Sequence, residues 1–182
     1  MEVYQQLPIT NRVTLRLPNQ VLEVLKKEAE KKDLTLNALV TKILFKNTSF
    51  ELHVKAVPNM TIPHEIFIEF INKSSNSAIE EIAKNGPSVV KKLFRILGLE
   101  YNLDNVIYSY FEMIGKYCEW YSFSHQIKHN KRRLVFNTML GPKWALFLSV
   151  YAKSILESLK IHVDEVSVND GVIVFEFSSR VV

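Results

Sequence analysis

Cysteine is almost absent from this sequence, since Cys118 is the only one among 182 residues. A single cysteine excludes an internal disulfide framework and suits a reducing compartment. Glycine and proline are also scarce, at 5 and 6 residues, which argues against a collagen-like or loop-rich chain. The sequence is instead 47% hydrophobic and 11% aromatic, which is enough for a substantial buried core.

Long apolar runs are missing as well. No segment reaches the roughly 18 uninterrupted apolar residues of a membrane-spanning helix. The first ten residues, MEVYQQLPIT, lack the basic start and apolar stretch of a signal peptide. These absences predict a cytoplasmic protein with no membrane partner. The net charge of +4 is compatible with nucleic acid but too small to indicate it alone.

The distribution of charge near the start of the chain is more informative. From Val3 to Leu22 the only charged residues are Arg12 and Arg16. They lie in a segment, Asn11–Leu17, that alternates strictly between polar and apolar side chains, as a half-buried β-strand does. One side of this predicted strand carries Arg12, Thr14 and Arg16, and the other carries Val13, Leu15 and Leu17.

Two amphipathic helices are predicted after this strand. Apolar residues at helical spacing indicate one helix from Gln20 to Lys32 and a second that begins at an N-cap, Thr35, and runs to about Lys46. A β-α-α unit of this size cannot bury its own apolar surface, and its strand has no partner within it. Two copies solve both problems, because their strands can pair antiparallel across a two-fold axis. We therefore predict a homodimer.

The pattern resembles the Arc/MetJ/CopG ribbon-helix-helix family over about residues 10–47. The resemblance rests on N-R-V-T-L-R-L-P, V-L-E-V-L-K-K-E-A and D-L-T-L-N-A-L-V-T-K-I-L. In that family the paired strands enter the major groove of double-stranded DNA, and alternate side chains contact base edges. The resemblance implies base contacts by Arg12, Thr14 and Arg16. Arginine can donate two hydrogen bonds to guanine, and threonine offers a hydroxyl and a methyl group to thymine.

The family resemblance also implies a phosphate contact at the start of the second helix. The free N–H groups near Thr35, Leu36 and Asn37 would favour an anion there. The sequence departs from the family pattern at two points of this turn. Asp33 stands where a glycine is common, and Asn37 stands where a serine is frequent.

Proline and a change of pattern mark a domain boundary after the two helices. Ser49–Val57 is predicted to be a strand or an extended connector, and Pro58 and Pro63 bracket a linker. We therefore divide the chain into a ribbon-helix-helix domain over residues 1–48, a linker over 49–62, and a C-terminal domain over 63–182.

The C-terminal domain is predicted to contain helices followed by strands. The predicted helices are His64–Lys73, Ser77–Leu97, which Gly86-Pro87 should break, and Leu103–Cys118. The later predicted elements are strands Trp120–His129 and Arg132–Thr138, helix Gly141–Lys160, and strands Ile161–Val168 and Val172–Ser178. Asn169-Asp170-Gly171 signals a hairpin between the last two strands. The predicted fold class is α+β, with two or three helices before a β-β-α-β-β antiparallel sheet unit.

The role of the C-terminal domain stays open between ligand sensing, oligomerisation and protein contacts. Its aromatic residues are mainly expected in the core, although a pocket between helix and sheet would suit a small-molecule effector. Its element order is similar to that of sensor domains of the vinyl-reductase or haem-nitric-oxide-binding-like type. The tract His129-Asn130-Lys131-Arg132-Arg133 is the densest basic cluster. Such a turn is usually just solvated, and contact with DNA backbone or an acidic partner is the alternative.

No metal, cofactor or enzyme activity is predicted. Cys118, His125 and His129 invite a metal site, with both histidines on one strand face, but no C-x-x-C, helical H-x-x-x-H or carboxylate cluster accompanies them. Motifs of hydrolases, P-loop proteins and dinucleotide enzymes are missing as well.

The predicted function is sequence-specific DNA binding by a homodimeric transcriptional regulator, with a tetramer left open. The alternatives are a protein-interaction or antitoxin-like module that uses the ribbon-helix-helix mainly to dimerise, and an enzyme with an accessory DNA-binding arm. Separate expression of residues 1–50 and 58–182 would test the predicted function against the first alternative, because DNA affinity found only in the larger fragment would contradict DNA binding by the N-terminal domain.

Overall fold

The computed structural model describes residues 11–51, 61–129 and 131–178. The chain divides into two compact units, Met1–Asn47 and Thr48–Val182. Helices and an antiparallel sheet both occur, so the predicted α+β class is confirmed. In the described ranges, no helix is both long and apolar enough to cross a membrane.

The described part of the first unit consists of two helices and the segment before them. Helix α1 spans Asn19–Lys31 and α2 spans Leu36–Lys46, so both predicted helices are confirmed. A π-helical segment, π1, continues directly from α2 over Asn47–Glu51. The strand or connector predicted for Ser49–Val57 is therefore wrong at its start, and its later residues lie outside the described ranges.

Residues 11–18 have no regular secondary structure in the single chain. The strand predicted for Asn11–Leu17 is therefore not found, and the single chain does not support the ribbon-helix-helix arrangement. The physical reason is that a β-strand is held by hydrogen bonds to a neighbouring strand. The described residues of this unit provide no such neighbour, because both of its regular elements are helices.

The second unit begins with several helices. They are α3 His64–Lys73, α4 Asn76–Ala83, α5 Gly86–Leu97, α6 Leu103–Asn105, π2 Val106–Phe111 and α7 Glu112–Cys118. The break predicted at Gly86-Pro87 is confirmed, since α4 ends before it and α5 begins with it. The last three segments form one continuous helical run. From residue 61 to the sheet there are thus four helical runs, rather than the two or three predicted.

A four-stranded antiparallel sheet with one crossing helix completes the second unit, and it confirms the predicted β-β-α-β-β order. The strands are β1 Ser122–Lys128, β2 Lys131–Asn137, β3 Glu165–Asn169 and β4 Val172–Ser178, in the order β1-β2-β4-β3. Helix α8 spans Pro142–Ser158 between β2 and β3. The β3–β4 connection turns at Asp170 and Gly171, with φ of 45° and 79°. Positive φ at both central residues is the geometry of a type I′ hairpin.

The core of the second unit lies between one face of the sheet and the helices. The fully buried side chains of this sheet face are Leu134, Phe136, Ile173, Phe175 and Phe177. Helix α8 packs on β3 and β4 and also contacts α4 and α5, while α7 packs on β1. The opposite face is polar and exposed along β1, as in most antiparallel sheets with one solvated side.

Candidate nucleic-acid interface

The segment before α1 exposes both of its sides in the single chain. Arg12, Thr14 and Arg16 are exposed, as the proposed contact with a ligand would require. The apolar side is exposed too, at 75% for Val13, 54% for Leu15 and 39% for Leu17. Charged side chains are stable in water, whereas a row of exposed aliphatic side chains is not favourable. Among the described residues of one copy, nothing covers the apolar side of this segment.

The two helices of the first unit share this lack of cover. In the described part of the unit, Ala29 and Leu39 are the buried hydrophobic residues. Other aliphatic residues of the helices remain exposed, among them Val21, Val24 and Ile43. A unit of fewer than 50 residues with so little buried apolar area is too small to be stable alone. Association with a second surface would explain why these positions are apolar.

The turn between α1 and α2 is closed by a Schellman motif. The N–H of Leu34 donates to the carbonyl of Ala29 at 2.9 Å, and the N–H of Asp33 donates to that of Glu30 at 3.1 Å. Asp33 occupies the left-handed position of this motif, with φ of 51°. Glycine is the usual residue there, and aspartate is among the few others that tolerate it. Asp33, which stands where the family commonly has glycine, thus keeps the turn geometry at some cost in backbone energy.

The start of α2 has the predicted N-cap. The Thr35 hydroxyl oxygen accepts a hydrogen bond from the backbone N–H of Ala38 at 3.1 Å. The N–H groups of Leu36 and Asn37 have no acceptor within the helix, because the first turn of any α-helix lacks them. Thr35 and Asn37 are exposed and Leu36 is half-buried. The three residues predicted to contact phosphate therefore lie together at an accessible helix start.

The aromatic residues of the second unit pack against one another. Trp144 contacts Phe67, Trp120 and Phe147, with ring centroids 5.0, 5.3 and 4.5 Å away. A cavity of about 510 Å³ lies along α3, where its lining includes Glu65, Glu69 and Lys73 but no phenylalanine, tyrosine or tryptophan. The rings expected to line an effector pocket are therefore core residues, and a small-molecule effector stays a prediction.

Two tyrosines form a buried hydroxyl pair within this core. The hydroxyls of Tyr110 and Tyr151 are hydrogen-bonded to each other. Burial raises the pKa of Tyr151 to about 12 and holds that of Tyr110 well above its ordinary value. Both hydroxyls therefore stay protonated near neutral pH. They act as paired polar groups of the core rather than as an acid and a base.

The histidines predicted to share a strand face do not do so. His129 lies in the turn after β1 with φ of 47°, whereas His125 lies within the strand and packs its ring on Tyr108 at 5.7 Å. Burial lowers the pKa of His125, the positive charge of Arg132 lowers it further, and Asp104 opposes both. Within residues 11–51, 61–129 and 131–178, no three side chains of His, Cys, Asp or Glu are placed to hold a metal ion.

Sequence reasoning missed one ion pair of the second unit. Arg132 donates from Nη1 to Asp104 Oδ1 at 2.9 Å, and the Arg132 side chain is only 15% exposed. The two residues are 28 positions apart and belong to different elements, so no local pattern joins them. The pair neutralises one cation of the basic tract at residues 129–133.

Comparison with protein-family models, with curated proteins and with solved structures finds no match to this chain. The chemistry and exposure of the alternating segment at residues 11–17, together with the two helices after it, are therefore what indicates a function.

Proposed function

We propose that this protein is a sequence-specific DNA-binding transcriptional regulator that acts as a homodimer. Residues 11–17 of two copies would form an antiparallel ribbon that enters the major groove. The observation that carries this proposal is the exposure of a strictly alternating segment on both sides, with Arg12 and Arg16 on one side and Val13 and Leu15 on the other.

Pairing between two copies would satisfy the backbone of the segment and bury its apolar side while its arginine side stays exposed. The backbone N–H and C=O groups of residues 11–17 would gain partners across the two-fold axis. The apolar side would pack on the helices, which leaves the arginine side facing outward. Full burial of one aliphatic side chain contributes about 1.5–3 kcal/mol, and association costs at least about 4 kcal/mol. Three such side chains from each copy, already partly buried, would offset the lower end of this cost, and cover of Val21, Val24 and Ile43 would add to the gain.

The outward side has the donors that base recognition requires. Arg12 and Arg16 can each donate a bidentate pair of hydrogen bonds to guanine, and Thr14 can contact thymine through its methyl group. No acidic residue lies between Val3 and Leu22 to repel phosphate. The N–H groups at Leu36 and Asn37 would fix the register by contact with the backbone, because a helix start favours an anion.

The test is selection of duplex DNA from a random pool, followed by binding assays with variants. Arg12→Ala and Arg16→Ala should each weaken binding to the selected duplex by roughly 1–3 kcal/mol per lost bidentate contact, and each substitution removes one such contact from each copy of the dimer. Arg95→Ala is the matched control, because Arg95 is exposed on α5 in the second unit. Unchanged affinity in folded, dimeric Arg12→Ala and Arg16→Ala proteins would contradict base recognition by the ribbon.

The alternative function is protein interaction, with the first unit serving mainly to dimerise. An exposed apolar row in the second unit favours it, since Ile62, Ile66 and Phe70 are spaced at four-residue intervals and are 46%, 60% and 68% exposed. This alternative predicts that Arg12→Ala and Arg16→Ala leave every measured property unchanged. The same binding assays therefore separate the two functions.

A further inference from the structure

The β1–β2 hairpin concentrates positive charge at its closed end. The ladder continues to the pair Lys128–Lys131, directly before the turn that contains His129. Side chains of directly paired residues point to the same face of a sheet with their Cβ atoms about 4.5–5.5 Å apart. The two ammonium groups therefore extend from the polar, solvated face of the sheet as close neighbours.

This arrangement has an electrostatic cost that nothing in the described residues offsets. Like charges directly opposite each other destabilise a strand pair. Within the described ranges, neither Lys128 nor Lys131 forms an ion pair or a side-chain hydrogen bond. Two lysines at a tight turn would be expected to diverge into solvent, but here they flank a concave surface.

The remaining charges around the hairpin are unevenly neutralised. Arg132 is paired with Asp104 at 2.9 Å, and Arg133 is 3.5 Å from Glu176. Glu176 is the one carboxylate that lines the concave surface beside these cations, and Glu165 is its neighbour on β3, further from the hairpin end. The unpaired cations are thus the two lysines, because Asp104 and Glu176 contact the neighbouring Arg132 and Arg133 instead.

The size of the concave surface limits what it can bind. Its volume is about 260 Å³, and Gln126, Lys128, Lys131 and Arg133 contribute to its lining. Pockets for organic ligands of drug size are about 300–1,000 Å³ and mostly apolar. A smaller, basic and open surface suits a compact anion, and phosphate is the anion for which clustered lysine and arginine side chains are the usual partners.

We propose that the end of the β1–β2 hairpin is a second DNA contact, in which Lys128 and Lys131 bind backbone phosphate with support from Arg133. This inference rests on the proposed function in assuming that the ligand is duplex DNA. It assigns to the second unit a part of the DNA affinity that does not depend on base sequence. The ribbon at residues 11–17 does not require this contact. The contact would increase affinity for all duplexes equally, because phosphate carries no base information.

The experiment compares the full-length Lys128→Gln/Lys131→Gln protein with wild type on two probes, a selected duplex and a random-sequence duplex. Binding is measured by fluorescence anisotropy between roughly 50 and 200 mM salt, where each phosphate contact adds about 0.9 to the slope of log K against log salt. The double variant should lower that slope by about 2 for each copy of the dimer, so by about 4 in all, on both duplexes, and leave the preference for the selected sequence unchanged. The matched control is Lys84→Gln/Lys92→Gln, which removes two exposed lysines of the same unit and should keep the wild-type slope.

The outcomes separate this contact from the proposed function. A wild-type slope in the Lys128→Gln/Lys131→Gln protein overturns the hairpin contact, even if Arg12→Ala and Arg16→Ala abolish sequence preference. Binding of inorganic pyrophosphate that depends on the two lysines, together with an unchanged DNA slope, overturns the assignment to DNA. If no DNA sequence is preferred, only the proposed function is overturned, because the salt slope on the random-sequence duplex still measures the phosphate contact of the hairpin. The variant's thermal midpoint should rise slightly, because the like-charge pair has been removed.

Discussion

At the scale of single residues, the turn between β3 and β4 depends on glycine at one position. Gly171 has φ of 79°, and its carbonyl accepts a hydrogen bond from the Thr138 N–H at 2.9 Å. A Cβ atom added to Gly171 would lie 2.3 Å from the Thr138 carbonyl oxygen. The hairpin therefore needs glycine for two reasons, the left-handed backbone and the close approach of a second chain segment.

Gly171→Ala should destabilise the second unit much more than Gly98→Ala. Gly98 also has positive φ, 65°, but a Cβ there meets nothing within 4 Å. A left-handed alanine costs about 1–2 kcal/mol, so Gly98→Ala should lose about that amount. Gly171→Ala must in addition displace backbone at the Thr138 contact, so its free energy of unfolding should fall by more than about 3 kcal/mol. Urea unfolding followed by tryptophan fluorescence measures both, and equal losses would contradict the role of the Thr138 contact.

His125 should make the stability of the second unit depend on pH. Burial lowers its pKa below 6.5, Arg132 adds to the effect, and Asp104 opposes it. The unfolded chain therefore takes up the proton first, so stability should be constant above pH 6.5 and fall as pH decreases below it. His125 Nε2 is buried without a hydrogen-bond partner, and it faces Arg132, Asp104 and the Tyr108 ring.

His125→Phe is the variant that checks this pH dependence. Phenylalanine keeps a ring against Tyr108 and removes both the proton site and the unpaired nitrogen. Thermal midpoints measured from pH 7.5 to 5.5 should fall less in the variant than in wild type. Identical pH profiles would show that His125 does not control stability in this range.

At the scale of elements, periodicity and turn residues predicted most of the second unit. Helix α3 and strand β4 have the predicted bounds, and Asn169-Asp170-Gly171 forms the predicted hairpin. Strand β3 begins at Glu165 rather than Ile161 because the Ile161 N–H donates to the Leu156 carbonyl at 3.1 Å. That bond closes the end of α8 through Lys160 at φ of 61°. The apolar positions shift from 161 and 163 to 166 and 168 across Asp164-Glu165, so the alternation is interrupted where β3 begins.

The candidate site was less predictable than the fold, for physical reasons. The exposure of Arg12 and Arg16 and the cap at Thr35 could be read from local patterns. Residues 11–17 form no strand in one chain, because the described residues of the first unit offer no neighbouring strand to bond with. The Asp104–Arg132 pair depends on tertiary packing, which alternation and helical spacing do not encode.

The α1–α2 turn gives an element-scale prediction at Asp33. With φ of 51°, glycine should be favoured there, aspartate tolerated and a β-branched residue strained. Asp33→Gly should stabilise the first unit by about 0.5 kcal/mol, and Asp33→Val should destabilise it by more than about 1 kcal/mol. Thermal unfolding followed by circular dichroism at one fixed protein concentration measures the series. An order other than glycine, aspartate, valine would contradict the Schellman geometry of this turn.

At the scale of the whole molecule, the two units differ in what holds them together. The second unit buries a continuous core that includes Phe94, Phe111, Phe136 and Phe175. The described part of the first unit buries little beyond Ala29 and Leu39. The second unit is therefore expected to fold without a partner, whereas the stability of the first unit should depend on protein concentration.

The dimer proposal is tested by placing a charge on either side of the alternating segment. Leu15→Asp would bury an unpaired carboxylate in the proposed interface, at a cost of several kcal/mol, so it should weaken dimerisation by at least about 100-fold. Thr14→Asp is the matched control on the outward side, and it should keep the dimer while it repels DNA. Sedimentation equilibrium over a concentration series measures both proteins, and tryptophan fluorescence from Trp120 and Trp144 verifies that the second unit stays folded. Equal dimerisation of the two variants would mean that the apolar side of residues 11–17 is not the dimer interface.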